Sequence, residues 1–307
     1  MKSKAYFAML FLVVIVSLMT IYYIAPFTKL EFDVMPSNYN FSLDVNASLV
    51  EMQFYPNMRF PSKRITYNIH DACSLKKKQD MMDAFDIVEN KTSMVFSSSN
   101  ENADIEITCN ETTKYESGMY IAGEGGPTNV VKTDKFYVIN GGTILLIRDS
   151  DCERPNIAIH ELFHVLGFKH SNNPNNIMYN YTKCNQVIGD DNIQLLERLY
   201  SVESKPDLLF EENKTNVLMH GRYLDLNLTV KNYGLRDAKD FIVSVIVDEK
   251  PIKEILIGEV NVGNGKVLSL RNLWVTKRNP SEVQLRIDPN FEEITKENNM
   301  ISFKIKD

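Results

Sequence analysis

Positive charge is not in excess in this chain. It carries 34 Lys and Arg against 40 Asp and Glu, a net charge of −6, whereas a nucleic-acid-binding protein wants a basic face. No nucleic-acid partner is expected. The cysteines are few, and no two of them form a C-x-x-C pair, so nothing in their spacing supports soft thiolate ligation of a metal. Charge of either sign is missing altogether from the 21 residues Ala5 to Ala25. Histidine is scarce, at five in 307 residues, yet three of the five fall within eleven residues.

The uncharged run is dominated by Leu, Val, Ile, Phe and Met. As a helix it would reach roughly 30 Å, the thickness of a bilayer's hydrocarbon core. Lys2 and Lys4 precede it, which keeps the short N-terminus cytoplasmic and puts the rest of the chain outside. Tyr22 and Tyr23 suit an interfacial aromatic belt. A cleaved signal peptide, hence a secreted protein, is the rival reading. Its apolar stretch is typically about 7–15 residues and ends in small side chains, unlike Tyr22-Tyr23-Ile24-Ala25-Pro26. Export follows either way. In an exported chain the four cysteines Cys73, Cys109, Cys152 and Cys184 read as disulfides, with three pairings open. Cys73 follows a first strand and Cys109 ends a later one, so neighbouring strands could bridge them. A 152–184 bond would staple a helix to the loop after it.

The histidines lie in His160-Glu161-Leu162-Phe163-His164-Val165-Leu166-Gly167-Phe168-Lys169-His170. On a helix, His160 and His164 project from one face, a turn apart. Gly167 can take a left-handed conformation, end the helix and let the chain turn, which brings His170 back as a third ligand. Zinc accepts neutral imidazole nitrogen at about 2.0–2.1 Å, and catalytic sites keep a fourth, wet position. Glu161 stands where a general base is needed. A glycine-capped helix with histidines on a polar face is the bland alternative, and it leaves five agreeing positions unexplained.

The pattern His-Glu-x-x-His-x-x-Gly-x-x-His resembles the metzincin signature, and Asn176-Ile177-Met178-Tyr179 resembles the Met-turn that follows it. Ser171 after the third histidine and the Ile-Met-Tyr form of the turn make the chain most similar to the matrixin branch. Ile65–Ile69 resembles that branch's first strand, Ala84-Phe85 its first helix, Ala103–Ile107 the strand after it, and Asp190–Tyr200 the closing helix. The resemblance implies one catalytic Zn²⁺ on His160, His164 and His170, with Glu161 as base. It also implies Met178 as an apolar floor, a protein or peptide substrate, and an S1′ pocket between the zinc helix and residues 180–186. The chain departs from the family in lacking a Pro-Arg-Cys-Gly cysteine switch and the histidines of a second, structural zinc; only His70 and His220 remain. Asn180 stands where astacin-like relatives place a tyrosine ligand.

Along the chain, residues 1–25 are expected to form the transmembrane helix and 26–61 a stalk without persistent period. Residues 62–204 are expected to form the peptidase domain, and 205–307 an all-β immunoglobulin-like sandwich. In the peptidase domain Ser74 would cap a helix from Leu75 to about Asn90. Gly118–Thr128 reads as a loop. Phe136–Ile139 and Thr143–Ile147 read as strands split by Gly141-Gly142. The zinc helix would run from Pro155 or Asn156 to Gly167. After Pro206 come seven strand-like runs: 208–210, 223–230, 241–247, 252–257, 267–274, 283–287 and 301–305. Val230–Gly234 and Asp288 through Asn299 resemble the CARDB module, which implies a surface ligand or a spacer and no chemistry. Asp288, Glu292, Glu293 and Glu297 are the weak candidates for calcium; a solvated loop is the competing reading. The fold expected is therefore α+β, a zincin-like mixed sheet with three main helices followed by the sandwich. The function expected is a membrane-anchored zinc endopeptidase. The alternative is a cell-surface adhesion protein built on an inactive peptidase scaffold.

Overall fold

Helix α1 (Lys2–Ile24) forms from the uncharged run. Its segment Lys4–Tyr22 is long and apolar enough to cross a membrane and is not buried by the rest of the chain, as a signal sequence also would not be. The computed structural model describes residues 2–24, 29–35, 51–110, 114–116, 119–149 and 151–306. The chain divides into two units. One comprises Met1–Asn40, Pro206–Asn232 and Asp237–Asp307; the other comprises Phe41–Lys205 and Tyr233–Arg236.

The second unit is a mixed sheet with helices. Its strands are β2 (Met58–Arg59), β3 (Arg64–Ile69), β4 (Val95–Ser98), β5 (Ile105–Cys109), β8 (Gly123–Lys132) and β9 (Tyr137–Leu146). They run in the order β2-β9-β5-β3-β4 with parallel pairing, and β8 lies antiparallel on the free side of β9. A short hairpin, β6 (Lys114–Glu116) and β7 (Met119–Ile121), stands apart. Helix α2 (Leu75–Glu89) starts where Ser74 Oγ accepts the Lys77 N–H at 3.3 Å, satisfying one of the free donors of the first turn. Met81, Ala84, Phe85 and Val88 recur at helical spacing and are buried against the sheet core formed by Ile65, Ile105, Ile107 and Ile144. Helices α3 (Asn156–Val165) and α4 (Asp190–Ser201) follow among the unit's described residues, so the three main helices expected are present. Cys73 is bonded to Cys109 and Cys152 to Cys184.

Two local expectations change. The stretch read as a loop, Gly118–Thr128, supplies β7 and most of β8. The two runs around Gly141-Gly142 form the single strand β9. Small residues hid β8, because its glycines are there to let a helix approach, not to turn the chain. The register between β8 and β9 shifts twice, passing over Thr128 on β8 and Asn140 on β9, so a bulge does fall beside Gly141-Gly142.

The first unit holds the sandwich. All seven expected runs are strands, as β10 (Leu208–Phe210), β12 (Tyr223–Asn232), β13 (Ala238–Val247), β14 (Lys250–Val260), β15 (Gly265–Trp274), β16 (Glu282–Asp288) and β17 (Met300–Ile305). Alternation explains why they were legible: Leu224, Leu226, Leu228 and Val230 point inward along β12 and Phe241, Val243 and Val245 along β13, all fully buried. Two strands were not expected. One is β11 (Asn216–His220). The other is β1 (Lys29–Val34), inside the presumed stalk, which pairs with both β11 and β17. Leu30, Phe32 and Val34 alternate with Glu31 and Asp33, a period of two too short to stand out from its surroundings. The stalk expected over 26–61 thus holds β1 and β2, while its residues 26–28 and 36–50 lie outside the described residues.

Candidate metal centre

Helix α3 sets the rings of His160 and His164 edge to face, 4.6 Å between centroids. It ends because Gly167 adopts φ +95°, a conformation that L side chains rarely hold. A Cβ there would also meet Met58 Cγ at 3.0 Å. The bend returns His170, and the three Nε2 atoms converge: His164 lies 3.0 Å from His160 and 3.2 Å from His170. His160, His164 and His170 form the one group of metal-capable side chains found among the described residues.

The other nitrogens decide what those Nε2 atoms are. His160 Nδ1 is 2.7 Å from the Ile177 carbonyl oxygen, and His164 Nδ1 is 2.7 Å from that of Phe168. A carbonyl only accepts, so each Nδ1 donates and each Nε2 keeps its lone pair. Burial pushes the pKa of both imidazoles down to about 4; the Ile177 and Phe168 carbonyls oppose that shift and the neighbouring rings reinforce it. Burial lowers His170 as well. Neutral imidazoles whose lone pairs face one another at this distance repel unless a cation sits among them. The donor set fits zinc.

Glu161 is buried beside His160. Burial raises its carboxyl to about 8, Glu124 adds repulsion, and a hydrogen bond from the Gly125 N–H opposes both. Strand β8 comes this close because Gly123 and Gly125 carry no side chains there. A Cβ on Gly123 would stand 2.8 Å from Glu161 Cγ, and one on Gly125 would stand 2.4 Å from the Glu161 carbonyl oxygen. Strand β8, antiparallel to β9, therefore borders helix α3 beside Glu161, while Gly142 of β9 lies against Val165 of the same helix.

Met178 is fully buried in a turn tied on three sides. Its carbonyl accepts the Ser171 N–H at 2.7 Å, its own N–H donates to Asn176 Oδ1 at 2.8 Å, and Asn176 Nδ2 donates to Asn192 Oδ1 at 2.9 Å. Asn192 thus fixes the turn to α4, although in the sequence it is only an Asn after two acids. The Cys152–Cys184 bond joins the approach to α3 to the segment beyond the turn, alongside a 2.7 Å hydrogen bond from Asn156 Nδ2 to the Lys183 carbonyl.

Residues 52–54, expected in the stalk, brace the bend from outside. Lys169 N–H donates to the Met52 carbonyl at 3.0 Å, and Phe54 N–H to that of Gly167 at 2.9 Å. The Phe54 ring stacks on His164 with centroids 5.9 Å apart. Gln53 is buried and holds Met58 at both ends, through Nε2 to its carbonyl at 2.6 Å and Oε1 from its N–H at 3.2 Å. No local pattern announces such a long-range brace.

The calcium candidates are not brought together as a group. Asp288 is occupied by Arg286 and Ser244. Glu293 is buried, accepting the Leu208 N–H at 2.7 Å and a hydrogen bond from Asn299.

Residues 59–201 match the family model described as Matrixin. The chain carries a matrixin domain. A CARDB domain follows, matched over residues 205–303, and no curated protein matches the chain. Among solved structures, a domain of a putative cell surface protein from Methanosarcina acetivorans is 17% identical, covering 33% of this chain and 92% of that one, with a TM-score of 0.28. A CARDB domain from Pyrococcus furiosus, solved with di-metal ions, is 16% identical, covering 33% and 88%, with a TM-score of 0.28. High choriolytic enzyme 1 from Oryzias latipes, a hatching-enzyme zinc-protease, is 22% identical, covering 36% of this chain and 46% of that one, with a TM-score of 0.24. The Matrixin match and the three convergent histidines support a metallopeptidase of the zinc type in general.

Proposed function

We propose that the protein is a zinc endopeptidase held at the outer face of a membrane by helix α1, with the CARDB domain as a surface-binding or spacing module. One observation carries the reading: three Nε2 lone pairs converge, two of them fixed by carbonyls behind the rings, directly beside a buried glutamate. His160, His164 and His170 would hold the metal. Zinc, when bound, lowers the pKa of a bound water and polarises a carbonyl oxygen. Glu161 takes the water's proton and passes it to the leaving amine. Burial raises the Glu161 carboxyl above the usual range, so its ionised form is the stronger proton acceptor that the role of base calls for. The Gly125 N–H keeps the carboxylate aimed while the proton comes and goes. Met178 seals the floor from water, and the peptide lies along the edge of β8, where strand-like pairing is available.

The test is Glu161→Ala in the full chain. It should retain one zinc per chain and lose cleavage of a generic casein-type substrate. Substantial residual turnover removes Glu161 from the role of base. A wild-type chain that binds zinc tightly but cleaves no member of a broad peptide library favours the adhesion protein on an inactive scaffold. Membrane fractionation separates the anchored protein from a secreted one.

A further inference from the structure

Strand β1 is gripped on both of its edges. Lys29 to Phe32 pair antiparallel with β11, from Lys29 opposite His220 to Phe32 opposite Val217, and Phe32 to Val34 pair with β17. The ladder extends past its ends, with Met35 N–H donating to the Ser302 carbonyl at 2.9 Å and Lys306 N–H to that of Glu31 at 2.8 Å. Phe32 is buried in the sandwich core, and Leu30 and Val34 pack against that core. Glu31 and Asp33 are exposed on the opposite face. In the order of hydrogen-bonded strands, β1 is the link between the β10-β12-β11 group and the β17-β16-β13-β14 group. The CARDB match begins at residue 205. The strand that joins its two halves therefore comes from the far side of the matrixin domain in the sequence.

We propose that Lys29–Val34 is a donor strand for the sandwich and a non-covalent latch between helix α1 and the rest of the protein. The slot between β11 and β17 takes an extended segment with three apolar side chains on one face and acids on the other. Its occupant is this chain's own residues 29–34. A break in the chain between residues 36 and 50 then leaves residues 51–307 attached to α1, because detachment requires the strand to leave two ladders at once. Strand addition derives its affinity from main-chain hydrogen bonds and its selectivity from the alternate side chains. The latch does not depend on peptidase activity.

The experiment uses the full chain in detergent, with an affinity tag at its N-terminus and a site for a specific protease inserted between residues 36 and 50. After complete cutting, capture of the tag should retain the body of the protein, and only denaturant should part the two pieces. Phe32→Asp in the same chain should lower the retained fraction by about tenfold or more, through loss of the one buried side chain among its three apolar ones. A synthetic peptide of residues 27–36, in excess, should displace the tagged piece slowly; the same peptide with Phe32→Asp should not. Prompt separation of the pieces after cutting the unsubstituted chain, without denaturant, overturns the latch. So does retention through a dimer, detected by light scattering, because the strand would then sit in a second copy. Loss of cleavage by the matrixin domain would leave every one of these readouts unchanged.

Discussion

Each helix histidine carries a backbone carbonyl behind it, and that choice fixes which nitrogen can bind a metal. His160→Ala should abolish tight zinc binding, measured by elemental analysis after dialysis, since two of three ligands cannot hold a catalytic zinc. Gly123 offers a finer test of Glu161. Gly123→Ala should leave the zinc content intact and reduce kcat at least about tenfold, because a misplacement near 1 Å costs catalysis far more than it costs folding. If kcat is unchanged, the close approach of β8 is packing alone. The His-Glu-x-x-His pattern was readable because helical spacing is local and rigid. Asn192 and the brace from Met52 and Phe54 were not, since their partners lie in other elements. Asn176→Ala leaves the Met178 N–H and Asn192 unpaired in the interior and should cost about 1–3 kcal/mol in urea titration of the zinc-loaded protein.

Elements were legible to the degree that side chains alone define them. The seven sandwich strands expected from alternation all exist, because each buries one face and wets the other. Strand β8 was missed because its glycines read as a loop, whereas a helix lies against the space they leave. Strand β1 was missed because six residues of alternation carry little signal until their partners, far along the chain, are known. The Cys152–Cys184 bond belongs to this scale, since it ties α3 to the turn beneath the histidines. Replacing both cysteines by serine should lower stability by about 2–4 kcal/mol, read from the urea midpoint. Zinc affinity should weaken with it, as the turn carrying the Ile177 carbonyl loosens. In the sandwich, burial pushes Glu293 up to about 7, with Asp207 adding repulsion, against hydrogen bonds from Asn299 and the Leu208 N–H. The folded form then holds a proton that the unfolded form has released, so stability is fullest below about 4.5 and declines as pH rises toward 7. Glu293→Gln should flatten that slope in thermal unfolding followed against pH; an unaltered slope would assign it to other groups.

For the molecule as a whole, two units with separate cores should not melt as one two-state system. Calorimetry should resolve two transitions. Chelation should lower only the one belonging to the matrixin domain, by the roughly 3–4 kcal/mol that a ligand at 100–1,000 times its dissociation constant supplies. A single transition that shifts as a block would mean the units unfold together. Domain identities were legible from motif and alternation, but the order of the chain through them was not, because β1 belongs with strands that come after the matrixin domain.

That ordering has a consequence for how the protein is made. Strand β1 finds its two neighbours only when residues 217–220 and 303–305 exist, long after it has itself been made. Pairings between such distant positions are slow to close. The matrixin domain has every partner it needs before then and can finish folding while the sandwich waits. Biogenesis therefore runs from the middle outward, and a ribosome stalled before residue 303 should yield a well-formed matrixin domain beside a sandwich that protease digests readily.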